Sequence, residues 1–329
     1  MLTRFGLEKG AITESGSDAA HLWVFVAPDE SERVLLQDRF RLDEYNLAST
    51  LDPDEVPRFE VTEDGAFIIW KTPETTRVEE SVELGVRTVG LVLAGERLAF
   101  VIDKGEVSFA AREFRAVRDV RDILLRFFLH TVHHYVGHLR VIRQMGSELE
   151  KKITVSMENR HLLQMFALSE SLVYYMDALE GNGSVLGKLR GLSGTLRLED
   201  RHVQMLDDIL LENSQAARQA QIYSSVLSGL MDARGSIINN NMNVLLKNLT
   251  LINIVFLPLN LIAGIGGMSE WSMMTSGLDW RISYGLFVIG MGAFGWLTWI
   301  LVTRLIDRGG SRARANPSVP PAARRLSGR

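Results

Sequence analysis

Residues 231–271 have the sequence MDARGSIINNNMNVLLKNLTLINIVFLPLNLIAGIGGMSEW, and this stretch decides the fold. The 22 residues between Lys247 and Glu270 carry no charge, and neither do the 22 residues between Arg281 and Arg304, ISYGLFVIGMGAFGWLTWILVT. With a rise of 1.5 Å per residue, each stretch is about 33 Å long as a helix and can cross a hydrocarbon core of about 30 Å. The sequence therefore predicts two membrane-spanning helices.

Tryptophans lie near both edges of these predicted spans. Trp271 and Trp280 lie at one edge, and Trp296 and Trp299 lie towards the other, as in the aromatic belts of membrane proteins. A hydrophobic hairpin inside a large globule, the alternative, does not require this arrangement. The predicted boundaries are 248–269 for the first transmembrane helix, 270–281 for a short periplasmic loop, 282–303 for the second transmembrane helix and 304–329 for a basic cytoplasmic tail.

The charges around the spans predict the orientation. Seven arginines and one aspartate follow the second span, whereas the loop between the spans has Arg281 against Glu270 and Asp279. Because positive charge is retained on the cytoplasmic side, we expect a multi-pass protein of the inner membrane with both termini in the cytoplasm. The first residues, MLTRFGLEKGAITESG, lack the apolar region of a signal peptide.

The composition excludes several classes of function. The 329 residues have a net charge of -4, so no basic excess indicates nucleic-acid binding. The chain has no cysteine, so any metal must be held by oxygen or imidazole ligands. GNGSVLGKL has the wrong glycine spacing for a phosphate loop, and no catalytic triad motif is present. We therefore expect neither an enzyme nor a resident cofactor.

The part before the spans is predicted to have an α/β and a helical portion. Alternating segments LWVFVA, RFEV, AFIIW and VRTVGLVLAGERLAFVI predict strands within residues 1–110, with hairpin turns at Asp64-Gly65 and Ala94-Gly95. DEYNLASTL predicts a short helix in the same portion. Residues 111–197 have apolar residues at helical spacing, with a Gly-rich break at 181–194.

Residues 198–247 run into the first span without a strong stop signal, and they predict a stalk helix. Stalk and span together form one helix of about 65 residues, which needs partners along its length. One stripe of this helix alternates carboxamides with single leucines, and it begins at an aspartate. Its members are Asp232, Ser236, Asn239, Asn243, Leu246, Leu249, Asn253, Leu257, Asn260, Gly264 and Gly267.

Two interpretations of this stripe stay open from the residues alone. In a ring of identical helices, the asparagines would form girdles of amide oxygens for a hydrated cation, and the leucines would form apolar gates. Alternatively, residues 239–243 are a solvated face, and Asn253 and Asn260 are hydrogen-bonding contacts between helices.

The stretch 231–271 resembles the CorA family of divalent-cation transporters, which includes the ZntB-type zinc transporters and a mitochondrial branch. The matching residues are Asn243, Lys247, Leu249, Thr250, Ile252, Phe256, Pro258, Leu259, Ile262 to Ile265, Gly267 and Met268. The resemblance implies an α+β cytoplasmic domain, a long stalk helix and two C-terminal transmembrane helices. It also implies a funnel-shaped homopentamer in the lipid bilayer that transports Mg2+ or Zn2+, or else Co2+ or Ni2+.

The resemblance further assigns the pore to five copies of the first span. The residues that match its pore-lining positions are Asn243, Leu246, Leu249, Leu257 and Asn260. Gly267, Met268 and Ser269 match the outer selectivity filter. Glu270 follows directly, and either five copies of it concentrate cations at the mouth or it only ends the hydrophobic segment at the interface. Ser269 replaces the family's asparagine, which weakens the expectation of strict Mg2+ selectivity and favours Zn2+, Co2+ or Ni2+. The alternative is a membrane scaffold that keeps the architecture and conducts weakly or not at all.

Histidines cluster before the stalk. His130, His134 and His138 are spaced by four residues, which places them on one helical face at metal-ligand spacing. This spacing suits a cytoplasmic metal site. Metal-binding histidines usually donate to a carboxylate, however, and none is evident nearby in the sequence, so a polar helix face is the alternative. Asp232 is a further candidate for binding regulatory metal.

Overall fold

The computed structural model describes residues 1–8, 10–78, 81–155, 159–274, 276–277 and 279–314. Within these ranges, the description covers the backbone but not the side chains of residues 75–78, 81–83, 153–155, 159, 270–272 and 305–314. The strands are β1 Leu2–Glu8, β2 Ala11–Glu14, β3 Leu22–Val26, β4 Arg58–Thr62, β5 Gly65–Val78, β6 Ser81–Ala94 and β7 Arg97–Ile102. The helices are α1 Glu30–Phe40, α2 Glu44–Leu51, α3 Val120–Val155, α4 Asn159–Gly191, α5 Asp200–Gly266, α6 Ser269–Met274 and α7 Trp280–Arg314, with a 3-10 turn at Arg112–Phe114. The chain divides into two compact units, Met1–Arg234 and Gly235–Arg329.

The first unit is built on a seven-stranded mixed sheet. The strand order is β2-β1-β3-β7-β6-β5-β4, in which β3 and β7 are parallel and all other neighbours are antiparallel. Because side chains alternate along a strand, β3 sends Trp23 and Phe25 to one face and Leu22 and Val24 to the other. The first face packs on α1 and α2, and the second packs on α3, α4 and the start of α5. The sheet is therefore the middle layer of three.

Two elements at the start of the chain were not expected. β1 and β2 form an antiparallel hairpin that adds two strands beside β3. Helix α1 begins at a capping box, in which Asp29 accepts a hydrogen bond from the Glu32 N–H at 2.9 Å and the Asp29 N–H donates to Glu32 Oε2 at 3.2 Å. The predicted strands and α2 are present at the predicted places.

Helix α4 continues through the stretch in which the sequence predicted a break. The Gly-rich segment 181–191 is helical, so the expected break at residue 181 is wrong. A Cβ atom at Gly181 would lie 2.7 Å from Pro57 Cγ, which is a clash. The glycine thus allows α4 to pack tightly against the segment before β4, and the connection to α5 begins only after Gly191.

Asn182 of α4 completes the hydrogen bonding of β5. Strand β4 pairs with β5 only as far as Ile69, so among the described residues no strand pairs with Lys71 on that side. The Lys71 N–H donates to Asn182 Oδ1 at 3.0 Å, and Asn182 Nδ2 donates to the Lys71 carbonyl at 2.8 Å. Asn182 is fully buried, so its carboxamide takes the place of a neighbouring strand at this point.

The second unit contains the C-terminal part of α5 with α6 and α7. The helices Asp200–Gly266 and Trp280–Arg304 contain stretches long and apolar enough to cross a membrane, with mean hydropathies of 2.0 and 1.9. A Cβ atom at Gly266 would lie 2.5 Å from Phe287 Cζ, and one at Gly295 would lie 3.2 Å from Leu259 Cδ1. The later residue of α5 thus contacts the earlier residue of α7, and the earlier residue of α5 contacts the later one. The two helices therefore pack as an antiparallel pair. The predicted tail is helical to Arg314, and residues 315–329 lie outside the described part of the chain.

Candidate functional site

In the second unit, α5 has one face against α7 and an opposite face left open within the chain. Gly266 and Leu259 approach Phe287 and Gly295 of α7. Leu251 and Val255 are buried and lie on the same side of α5 at about 100° per residue. At about 100° per residue, the six predicted pore-lining residues all lie within roughly 60° of the opposite direction. They are Asn243, Leu246, Leu249, Asn253, Leu257 and Asn260, and all are exposed within the single chain.

The exposed face of α5 carries leucine and asparagine side chains along its length. Leu246, Leu249 and Leu257 are 53%, 56% and 74% exposed, so most of their apolar surface lies free on the chain. Asn253 lies between Leu249 and Leu257, and Asn260 follows Leu257, both within the predicted membrane span. Because an amide in hydrocarbon is costly without a partner, these two residues favour a helix–helix or water-facing position over a lipid-facing one. Their pore role stays a prediction.

The predicted mouth lies where α5 gives way to α6. Helix α5 ends at Gly266, and the Gly267 N–H and Met268 N–H then donate to Ala263 and Ile265 carbonyls at 3.0 and 3.1 Å. Ser269 is the first residue of α6. Glu270 also belongs to α6, but its side chain lies outside the described part of the structure. Pro258 lies inside α5 and removes one backbone donor there, next to Leu257.

The predicted histidine face lies on α3 in the first unit. The rings of His130 and His134 are 6.3 Å apart, and those of His134 and His138 are 4.4 Å apart. His138 Nδ1 lies 2.5 Å from the hydroxyl of Tyr175 on α4, so this nitrogen is already engaged by the phenol. Burial lowers the pKa of His138 to about 4, with His134 adding to the effect, and burial also lowers the pKa of His134. These two imidazoles are therefore neutral at pH 7.

Two carboxylates that the sequence did not reveal lie beside this face. Glu113 of the 3-10 turn faces His133 Nδ1 at 2.8 Å and His130 Nδ1 at 3.6 Å. Glu212 of α5 faces His133 Nε2 at 3.0 Å. The hydrogen bond with His133 lowers the pKa of Glu113, which therefore stays ionised at neutral pH. No short sequence spacing links residues 113, 133 and 212, and only the packing of three elements brings them together.

A second cluster joins the N-termini of α3 and α5. Donor atoms of Asp119, Asp122 and His202 lie within 4.8 Å of one another, the one such group of three found among the described residues. The guanidinium of Arg201 already bonds both carboxylates, at 2.8 Å to Asp119 and 3.3 Å to Asp122. Asp122 also accepts from the Arg118 N–H at 2.9 Å. A metal ion would have to displace the guanidinium of Arg201 from both carboxylates. This cluster is therefore a structural link between α3 and α5.

Asp232 is exposed on α5, near the end of the first unit. It is not part of the three-residue metal-ligand group found in the described part of the chain. Its regulatory role stays a prediction.

Comparison with known proteins identifies the family. Residues 18–304 match the family described as CorA-like Mg2+ transporter protein. The chain belongs to this family. The curated relatives of this CorA family member include the cobalt/magnesium transport protein CorA of Methanocaldococcus jannaschii, 25% identical over 82% of this chain and 88% of the relative. Another is the cobalt/magnesium transport protein CorA of Thermotoga maritima, 27% identical over 75% of this chain and 71% of the relative.

Solved structures agree on the fold. The complete structure of the CorA magnesium transporter from Methanocaldococcus jannaschii is similar to this CorA family member with a TM-score of 0.70. The match covers 92% of this chain and 97% of that one at 19% identity. The full-length CmaX protein is similar with a TM-score of 0.69 at 12% identity. The predicted family and fold are therefore confirmed, and with its two apolar C-terminal helices the protein is a membrane protein.

Proposed function

We propose that this CorA family member conducts divalent cations through a pore lined by α5 from five identical chains. The observation that carries the proposal is the face of α5 opposite α7, where asparagines alternate with exposed leucines. An assembly around this face would cover the leucines and turn each asparagine into a ring. The relatives named above are cobalt/magnesium transport proteins, which supports a divalent cation as the substrate. No enzymatic step is part of this function.

The chemistry of the face suits a partly hydrated ion. Rings of Asn253 and Asn260 would offer amide oxygens to the water shell of the cation, which Mg2+ gives up reluctantly. Rings of Leu246, Leu249 and Leu257 would form apolar constrictions that close when water leaves them. The proposed location is the inner membrane, with both termini in the cytoplasm, because the arginines concentrate after the second span.

The function is tested by uptake of Mg2+, Zn2+, Co2+ and Ni2+ into liposomes that contain the purified full-length protein and an internal dye. We expect selective flux above that of empty liposomes when internal metal is low. No flux for any of these ions, from a verified pentamer, would contradict the proposal and favour the membrane scaffold.

Ser269 gives a prediction about which ions pass. A serine ring at the mouth has hydroxyls that lie further from the axis than the family's carboxamides, so it holds a hydrated Mg2+ less well. We expect Ser269→Asn to raise the ratio of Mg2+ flux to Zn2+ flux about tenfold, equivalent to about 1.4 kcal/mol. The same liposome assay measures it, with Ser269→Thr as the control that keeps a hydroxyl. An unchanged ratio in Ser269→Asn would show that this residue does not set ion selection.

A further inference from the structure

One cleft of the first unit is lined by four arginines, and we call it the arginine cleft. It has a volume of about 600 Å3 and lies at the end of the sheet that carries the β4–β5 and β6–β7 turns. It reaches from the last turn of α1, on one face of the sheet, to the connection between α4 and α5, on the other. Its charged lining residues are Arg39, Arg97, Arg121, Arg197, Glu63, Asp64 and Glu96. Cavities that bind small molecules have volumes of about 300–1,000 Å3, so the arginine cleft is large enough for such a ligand.

The acidic residues of the arginine cleft already have guanidinium partners. Arg41, beside the cleft, lies with its Nη1 2.5 Å from Glu63 Oε2 and 3.3 Å from Asp64 Oδ2. Arg121 lies with its Nη1 3.0 Å from Glu96 Oε1. The three carboxylates of the cleft are thus each paired with Arg41 or Arg121.

The other three arginines of the cleft keep an unpaired charge. Among the described residues, no carboxylate forms an ion pair with Arg39, Arg97 or Arg197. Thr62 and Thr195 also line the cleft and add hydroxyl groups. Three like charges around one cleft repel one another and produce a positive potential. A small molecule with several negative charges would therefore bind there favourably.

Two arginines at this end of the sheet have backbone conformations that favour glycine. Arg41 is the C-cap residue of α1 with a φ of 51°, and Arg197 has a φ of 53°. Glycine or asparagine usually occupies such left-handed positions, because a Cβ atom there is costly. Strained residues of this kind cluster at functional sites. Here Arg41 neutralises two acidic residues of the cleft, and Arg197 lines it, so both side chains contribute to its positive charge.

The backbone beside Arg197 is held in place without a ligand. Arg121 Nε donates to the Leu196 carbonyl at 3.0 Å, and Arg121 Nη1 donates to Glu96 Oε1 at 3.0 Å. These bonds tie the α4–α5 connection to the β6–β7 turn. Leu196 is also buried at 4% exposure. A site that is ordered in advance loses less entropy when a ligand binds.

We propose that the arginine cleft binds a small anion with a chain of phosphoryl groups, a triphosphate, and that Arg39, Arg97 and Arg197 are its charged contacts. The planar guanidinium group pairs with two phosphate oxygens at once, which makes arginine well suited to such a ligand. The contacts come from side chains of separate elements, so no phosphate loop is needed. An inorganic phosphate chain and the triphosphate of a nucleotide share this chemistry. The binding does not depend on the proposed transport function.

The test is binding of tripolyphosphate and of ATP to the full-length protein in detergent, measured by calorimetry in buffer without Mg2+. We expect one triphosphate per chain, with affinity that falls as the salt concentration rises. Arg97→Gln and Arg197→Gly should each weaken the binding at least tenfold. Arg197→Gly should unfold at no lower temperature than the wild type, because glycine adopts a φ of 53° readily. Its lost binding would therefore not reflect a folding defect.

The matched control is Arg140→Gln, which removes an exposed arginine of α3 outside the arginine cleft and should bind as the wild type does. Equal affinity for tripolyphosphate and ATP would support recognition of the phosphate chain, and tighter binding of ATP would support a nucleotide as the ligand. No binding of either probe would overturn the site, whatever the cation flux. Unchanged affinity in both Arg97→Gln and Arg197→Gly, an equal loss in Arg140→Gln, or equal binding of citrate would also overturn it.

Discussion

Replacing Leu257 with aspartate is expected to lower divalent-cation flux at least tenfold at saturating metal. Leu257 is 74% exposed on the open face of α5, and the proposed pentamer would place five copies around the axis. Five carboxylates at that constriction would wet it and bind divalent cations strongly. Conduction requires an ion to leave a site as readily as it enters, so tight binding slows passage. Dye-reported uptake into liposomes with equal amounts of protein measures the effect.

The matched control is Leu257→Met, which keeps the ring apolar and similar in volume. We expect flux within about twofold of the wild type for this variant, because the gate needs an apolar side chain rather than leucine itself. Size-exclusion chromatography of both variants checks that the oligomer forms. Wild-type flux from a correctly assembled Leu257→Asp protein would refute the assignment of Leu257 to the gate.

The membrane part of the fold could be predicted because its signals are local. Two charge-free runs of 22 residues and a helix without a stop signal are visible in the sequence itself. The structure has two helices with apolar stretches, as expected: the 67-residue α5 contains the first and α7 contains the second. Which face of α5 is open follows from contacts with α7, and these depend on Gly266 and Gly295 allowing close approach.

The first unit was predicted less completely because its signals are either weak or non-local. The capping box at Asp29 and Glu32 was present in the sequence and could have revealed α1. The hairpin of β1 and β2 is only partly buried and lacks a strong hydrophobic alternation. The glycines in 181–191 indicated a break, whereas the segment is helical and Gly181 allows α4 to pack closely against Pro57.

The histidine cluster of α3 shows the same limit at the level of side chains. Four histidines between residues 130 and 138 are evident in the sequence, but the carboxylates that contact them belong to other elements of the fold. Glu113 is 20 residues away from His133, and Glu212 lies on α5. The sequence therefore indicated the helix, and the tertiary packing indicates His130 and His133 as the pair beside a carboxylate.

Replacing Asn182 with leucine is expected to destabilise the protein by about 3 kcal/mol. The leucine cannot accept from the Lys71 N–H or donate to the Lys71 carbonyl, and no strand in the described part of the chain pairs with Lys71 on that side. Each buried backbone group left without a partner costs about 1–3 kcal/mol. For a folded unit of this size, the loss corresponds to a fall in Tm of roughly 6–12 °C, measurable by thermal unfolding of the full-length protein in detergent.

Gln37→Leu on α1 provides the matched control, because it also replaces a carboxamide with leucine but at an exposed position. We expect its stability to stay within about 0.5 kcal/mol of the wild type. If Asn182→Leu unfolds at the same temperature as Gln37→Leu, the edge of β5 must satisfy its backbone groups in another way, with water or a shifted β4. Since leucine and asparagine have similar shapes at the branch point, a large loss in Asn182→Leu alone reports the two missing hydrogen bonds rather than a change in packing volume.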